Sequence, residues 1–76
     1  MAKPFGWLEV RLIGEMLAER HRDIDPYSIG FPRLRSLVES LPGFMEEPGH
    51  PVNERILEEI QRFWIEEREE LAEDKD

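Results

Sequence analysis

The chain has 76 residues, 37% of them charged, with no cysteine and a net charge of −8. A chain of this length makes one domain with one small core, too small to enclose a deep substrate pocket, so a self-sufficient enzyme is not expected. The composition excludes disulfide staples and thiolate ligation of a metal, and its acidity opposes duplex nucleic acid and anionic membranes.

Residues 1–6 read as an N-terminal arm, 7–68 as a single helical domain, and 69–76 as an acidic, disordered tail. The arm has no long apolar run behind its lysine, so it is not expected to be a signal peptide. No stretch approaches membrane-spanning length, and a cytoplasmic monomer is the expectation. Helix one is predicted from Trp7 to Arg20 or His21. Val10, Ile13, Met16 and Leu17 make its apolar stripe, leaving Arg11, Glu15 and Glu19 mostly outside. Leu12 is also counted among the core candidates. Gly14 sits in mid-helix, where it costs about 1 kcal/mol against alanine. That cost implies that another helix passes close to its bare backbone.

Asp23-Ile24-Asp25-Pro26 ends helix one, because proline cannot continue it and disfavours helical geometry at Asp25. A connector follows, anchored by Ile29 and Phe31 around Gly30. Helix two starts near Pro32, a favoured first-turn residue, and carries Leu34, Leu37, Val38 and Leu41 on one side before Pro42-Gly43 stops it. Phe44 to Pro51 is a loop. Helix three opens between Pro51 and Asn53, and Ile56, Leu57, Ile60, Phe63 and Trp64 share one face. Its pattern fades after Glu67, and fraying is expected from Leu71 onward. Trp7 and Trp64 belong to the core or its edge rather than to stacking platforms. The fold class is mainly α: a compact three-helix domain of helix-turn-helix or winged-helix-like type. At most it adds a short β pairing between the segments near Ile29 and Phe44.

Charge is unevenly spread. Residues 66–76 hold seven acids and two bases, giving −5 of the −8, while residues 1–65 contribute −3. This balance suits a basic partner, cations or plain solubility. Asp23 and Asp25 flank a turn and offer oxygen ligands to a hard cation such as ferrous iron, although both also suit the role of shaping that turn. Glu46 and Glu47 could extend such an acidic surface. Glu15 and Glu19, four apart on one helix, repel each other and make an electronegative stripe suited to a basic groove. Glu58 and Arg62 have the favourable spacing for an ion pair within helix three. His21 and His50 have no ligand partner at metal spacing, and Ser28, Ser36 and Ser40 belong to no recognisable nucleophile–base set.

The ordered set of Trp7, Ile13-Gly14-Glu15-x-Leu17, Asp23-x-Asp25-Pro26, Phe31-x-x-Leu34 and Leu41-x-x-Phe44-x-Glu46-Glu47-Pro48 continues into the third helix. There it reads Asn53-Glu54-x-Ile56-Leu57-Glu58-x-Ile60-Gln61 and Trp64-x-Glu66-Glu67. The whole resembles the IscX family of iron–sulfur cluster assembly proteins. The resemblance implies a non-catalytic adaptor that binds a cysteine desulfurase through an acidic face and competes there with a frataxin-like protein. It also implies weak binding of ferrous iron by surface carboxylates, with no tightly bound cofactor. On that reading Glu15, Glu19, Asp23, Asp25, Glu46 and Glu47 meet the partner, and Asp23, Asp25, Glu46 and Glu47 take the iron. The chain departs from the family pattern at Pro32, Arg33, Arg35 and Met45, which thin the acidic surface and add positive charge to helix two. Arg20, Arg22, Arg33 and Arg35 keep a helix-turn-helix nucleic-acid-binding alternative open, but four arginines in a −8 chain make a small basic footprint.

Overall fold

In the computed structural model, which describes residues 4–46, 49 and 51–74, three helices follow in order: α1 (Val10–Arg20), α2 (Phe31–Glu39) and α3 (Glu54–Asp74). The chain is therefore mainly α, as its periodicity predicts. Local chemistry sets each boundary. The His21 amide closes α1 by donating to the Leu17 carbonyl. At the start of α2, Gly30 is extended and Pro32 occupies the first turn, where no intrahelical donor is needed. This helix ends at Glu39, two residues before the predicted Leu41, and the Ser40 amide donates to the Ser36 and Leu37 carbonyls. The chain then turns through Gly43, whose φ of 88° lies in the left-handed region open to glycine. The Asn53 side chain accepts the Ile56 amide at 2.9 Å, satisfying one orphan donor at the start of α3.

Helix α1 packs chiefly on α3, and α2 closes the third side. Buried positions repeat at helical spacing: Ile13 and Leu17 on α1, Leu34 and Val38 on α2, and Leu57, Ile60 and Trp64 on α3. Trp7 and Trp64 are both buried, which establishes them as core residues. The indole Nε1 of Trp64 has no hydrogen-bond partner among the described residues. Gly14 sits where the two long helices meet. A Cβ placed there would lie 2.6 Å from the Phe63 Cβ and 2.8 Å from the Trp64 backbone nitrogen. The close helix approach implied by a mid-helix glycine is therefore present, and α3 is the helix that makes it.

Several expectations are corrected. Among the described residues the β pairing is a single parallel bridge between Phe5 and Phe44, not a pairing with the Ile29 segment. Its hydrogen bonds run from the Phe5 amide to the Gly43 carbonyl and from the Met45 amide to the Phe5 carbonyl. Phe5, assigned by sequence to the arm, is a buried core residue and packs edge-on against Phe44, while Ile29 is buried as an anchor. Helix α1 begins at Val10 rather than Trp7, which lies in the preceding turn. Leu12 is 39% exposed and stands outside the core. Helix α3 continues to Asp74, beyond the point where its apolar pattern fades, and Leu71 packs against the core one heptad after Trp64.

The α1–α2 connector is tied to α3 by polar contacts. Gln61 donates its amide to the Pro26 carbonyl at 2.6 Å, and the Tyr27 hydroxyl donates to Glu69 at 3.2 Å. These ties place the Asp25 turn beside the stretch of α3 from Gln61 to Glu69. Among the described residues, no helix is long and apolar enough to cross a membrane.

Candidate functional site: an acidic groove between α1 and α3

The close approach at Gly14 brings the outer edges of α1 and α3 together. On α1 the residue after Gly14 is Glu15, with Glu19 one turn further on. On α3 the residues after the buried Trp64 include Glu66, Glu67 and Glu70. Arg11, Glu15, Phe63, Glu66, Glu67 and Glu70 line an open cleft of about 260 Å³ between the two helices. Four carboxylates and one guanidinium therefore surround an apolar ring.

Glu67 reports the electrostatics of this cleft. Partial desolvation first, and then the negative charge of Glu70 and Glu15, raises its carboxyl above the ordinary glutamate value. A hydrogen bond with Glu70 and the charge of Glu19 push in the same direction. The carboxylates of the two helices thus repel one another across the groove, and an incoming cation would relieve that repulsion. Arg11 offsets part of it, with its Nε 3.6 Å from Glu15 Oε2. That pair is exposed, and such pairs contribute only about 0–1 kcal/mol.

The residues singled out by sequence fall into separate places. Glu15 lines the groove, and Glu19, outside its lining, lies near enough for its charge to act on Glu67. Asp25 is engaged in its own turn: its carboxylate accepts the Tyr27 amide at 2.9 Å and the Ser28 hydroxyl at 3.2 Å, and lies 3.7 Å from Arg68. Asp23 is exposed in the same connector. Glu46 accepts the Trp7 indole N–H at 3.1 Å, which ties the 44–46 segment to the residues before α1. Glu47 and His50 lie outside the described residues. Among the described residues, no group of three or more histidine, aspartate or glutamate side chains is gathered to hold a metal ion.

On α3, Arg62 pairs with Glu59 at 2.7 Å rather than with the predicted Glu58, and its guanidinium lies 4.9 Å from the centre of the Phe63 ring. The three-residue spacing turns Arg62 toward Glu59 and leaves Glu58 exposed. On α2, Arg35 pairs with Glu39 at 3.4 Å, so this added positive charge is partly neutralised within its own helix.

Sequence reasoning missed Glu66, Glu67 and Glu70 as partners of Glu15 and Glu19. Two signals bear on them: the mid-helix glycine, which announces a close helix neighbour, and the i, i+3 spacing of Glu67 and Glu70. Neither says which helix lies opposite α1, nor in what register.

A family model described as iron-sulphur cluster assembly matches residues 5–69 of the chain. The protein belongs to this family, the IscX family. The matched segment begins at Phe5, the residue that forms the β bridge, and ends at Glu69, which holds Tyr27. It contains Glu15, Glu19, Glu66 and Glu67, while Glu70 lies just beyond it. An uncharacterized protein of Pseudomonas aeruginosa is 40% identical to this IscX-family chain over 63 residues, covering 83% of this chain and 94% of that protein. No solved structure matches the chain significantly. Family membership supports a role in iron–sulfur cluster assembly.

Proposed function

We propose that the protein is a non-catalytic adaptor of iron–sulfur cluster assembly that docks on a cysteine desulfurase through the acidic α1–α3 groove. The cleft lined by Glu15, Glu66, Glu67 and Glu70 carries the reading. Partial desolvation, and then the charges of Glu70, Glu15 and Glu19, hold the Glu67 carboxylate in an unfavourable field, which a basic surface would relieve on contact. Glu15 and Glu19 form the α1 side of the docking face, and Glu66, Glu67 and Glu70 form the α3 side. Glu46, held by Trp7, and the Asp23–Asp25 turn form outlying acidic points, and Glu47 adjoins Glu46 in the sequence. A frataxin-like protein competes for the same basic groove. The adaptor works as a cytoplasmic monomer.

Ferrous iron binds weakly at most and without a resident site. Asp23, Asp25, Glu46 and Glu47 remain its candidate ligands, although Asp25 is already engaged by Tyr27, Ser28 and Arg68. The nucleic-acid alternative has less support. Arg35 is paired with Glu39, and the surrounding charge is negative overall.

The test is a binding titration against the cognate cysteine desulfurase at low and moderate salt. Binding at low salt that weakens as salt rises is expected; no binding at low salt would refute the adaptor reading. Anaerobic ferrous titration followed by NMR line broadening tests the metal. Broadening at Asp23, Asp25, Glu46 and Glu47 is expected, and broadening confined to the C-terminal acids would remove these residues as ligands.

A further inference from the structure

Three large apolar side chains stand exposed around the start of α1: Leu8 at 60%, Leu12 at 39% and Met45 at 62%. Leu8 lies just before the N-cap position of α1, where an apolar side chain can fold back onto the fourth helical residue. That residue, Ile13, is already fully buried, and Leu8 remains in solvent. Leu12 lies one turn before Glu15 and Met16, two turns before Glu19, and so shares the face that leads into the acidic groove. Met45 is fixed near the same end of the molecule. Its amide donates to the Phe5 carbonyl, and the next residue, Glu46, accepts the indole N–H of Trp7, the residue before Leu8.

Scattered apolar residues on a surface need no explanation, but among the described residues these are the exposed large aliphatic side chains. Leu8 and Leu12 flank the start of α1, and Met45 lies in the segment bonded to Phe5 and Trp7 just before it. A second copy of the chain is a poor occupant, because pairing across this face would oppose Glu15 and Glu19 of two molecules that each carry −8. The complementary occupant is basic. Arginine and lysine side chains can lay their aliphatic stems along leucine and place their charged heads on neighbouring carboxylates.

We infer that Leu8, Leu12 and Met45 form an apolar anchor continuous with the Glu15–Glu19 edge, and that the occupant is a basic protein groove with an apolar recess. The inference rests on the adaptor reading for the identity of that groove. It adds that docking has a part that salt does not screen. Glutamates set the approach and the salt dependence, and the leucines slow dissociation.

The experiment titrates the desulfurase over a salt series with wild-type protein, with the double variant Leu8→Ser/Leu12→Ser, and with Glu15→Gln/Glu19→Gln. Circular dichroism first confirms that each variant is folded. The leucine variant is expected to bind about tenfold more weakly at every salt concentration with an unchanged salt slope, whereas the glutamate variant flattens the slope. Wild-type affinity in the leucine variant would overturn the anchor and leave the adaptor reading standing.

If wild-type protein fails to bind the desulfurase at all, the adaptor reading falls and a second probe decides the anchor. A helical leucine–lysine peptide is compared with a serine–lysine peptide of equal charge. Tighter binding of the leucine peptide, with amide shifts at Leu8, Leu12 and Met45 that vanish in the leucine variant, would sustain the anchor. Equal binding of the two peptides would overturn it.

Discussion

Replacing Gly14 with alanine should destabilise the protein, although the same change in an isolated helix would stabilise it. Helix propensity alone favours alanine by about 1 kcal/mol. In the folded chain the new methyl group would meet the Phe63 Cβ at 2.6 Å, the Trp64 nitrogen at 2.8 Å and the Phe63 carbonyl carbon at 2.9 Å. Carbon atoms settle at about 3.5–4.0 Å, so α1 and α3 would have to part by roughly 1 Å. Two of those three atoms are backbone in the interior of a 21-residue helix, so no side-chain rotation can relieve the clash.

Overpacking of this kind costs about 1–3 kcal/mol, and the upper end applies because the separation also loosens Ile13, Leu17 and Trp64. After the propensity gain the net loss is about 2 kcal/mol, or on the order of 8–16 °C in Tm for a domain of this size. Thermal denaturation by circular dichroism measures it, with Gly30→Ala as the control. A Cβ at Gly30 meets only the Pro32 Cδ, at 3.7 Å, so the control should change little. A Gly14→Ala protein as stable as wild type, or more so, would refute the close helix contact and the groove geometry built on it.

Other outcomes follow from individual contacts. Asn53→Ala removes the side-chain acceptor for the Ile56 amide and should cost about 1 kcal/mol in chemical denaturation. Trp7→Phe keeps an aromatic ring but loses the N–H that holds Glu46; about 1 kcal/mol should be lost, and the Glu46 amide resonance should broaden or shift. Glu67 has a folded-state carboxyl pKa above its unfolded value, so its contribution to stability is present below the unfolded pKa and is lost as pH rises through the folded one. Glu67→Gln should therefore raise Tm at neutral pH, and its advantage should shrink as the pH is lowered through the carboxyl range. An advantage that grows on acidification would show that Glu67 is stabilised, not strained, by its neighbours.

The sequence made the helical core legible where periodicity and punctuation agreed. Trp64 falls on the stripe of Ile60 and Leu57, and Asn53 sits where a cap belongs. Gly14 could be explained only by a close neighbour. The β bridge was not legible, because one pairing between Phe5 and Phe44 leaves no period in the sequence, and the arm offers no local pattern to recruit it. The length of α3 was obscured because Leu71 continues the stripe of Trp64 amid glutamates that read as a solvated tail. Leu12 has the residue type of a core position but stands on the outer face of α1, so type and position point in opposite directions. The candidate site was half legible. The repulsion between Glu15 and Glu19 is local, but their meeting with Glu67 and Glu70 depends on the register of two packed helices, which composition does not encode.

The most direct test of the acidic docking face is the salt dependence of desulfurase binding by wild-type protein and by a Glu15→Gln/Glu67→Gln variant. Neutralising one carboxylate on each side of the groove should weaken binding at low salt and flatten the slope of log affinity against log salt, with the two proteins converging at high salt. Equal affinities and equal slopes at low salt would contradict the account, because the groove between α1 and α3 would then take no part in the contact.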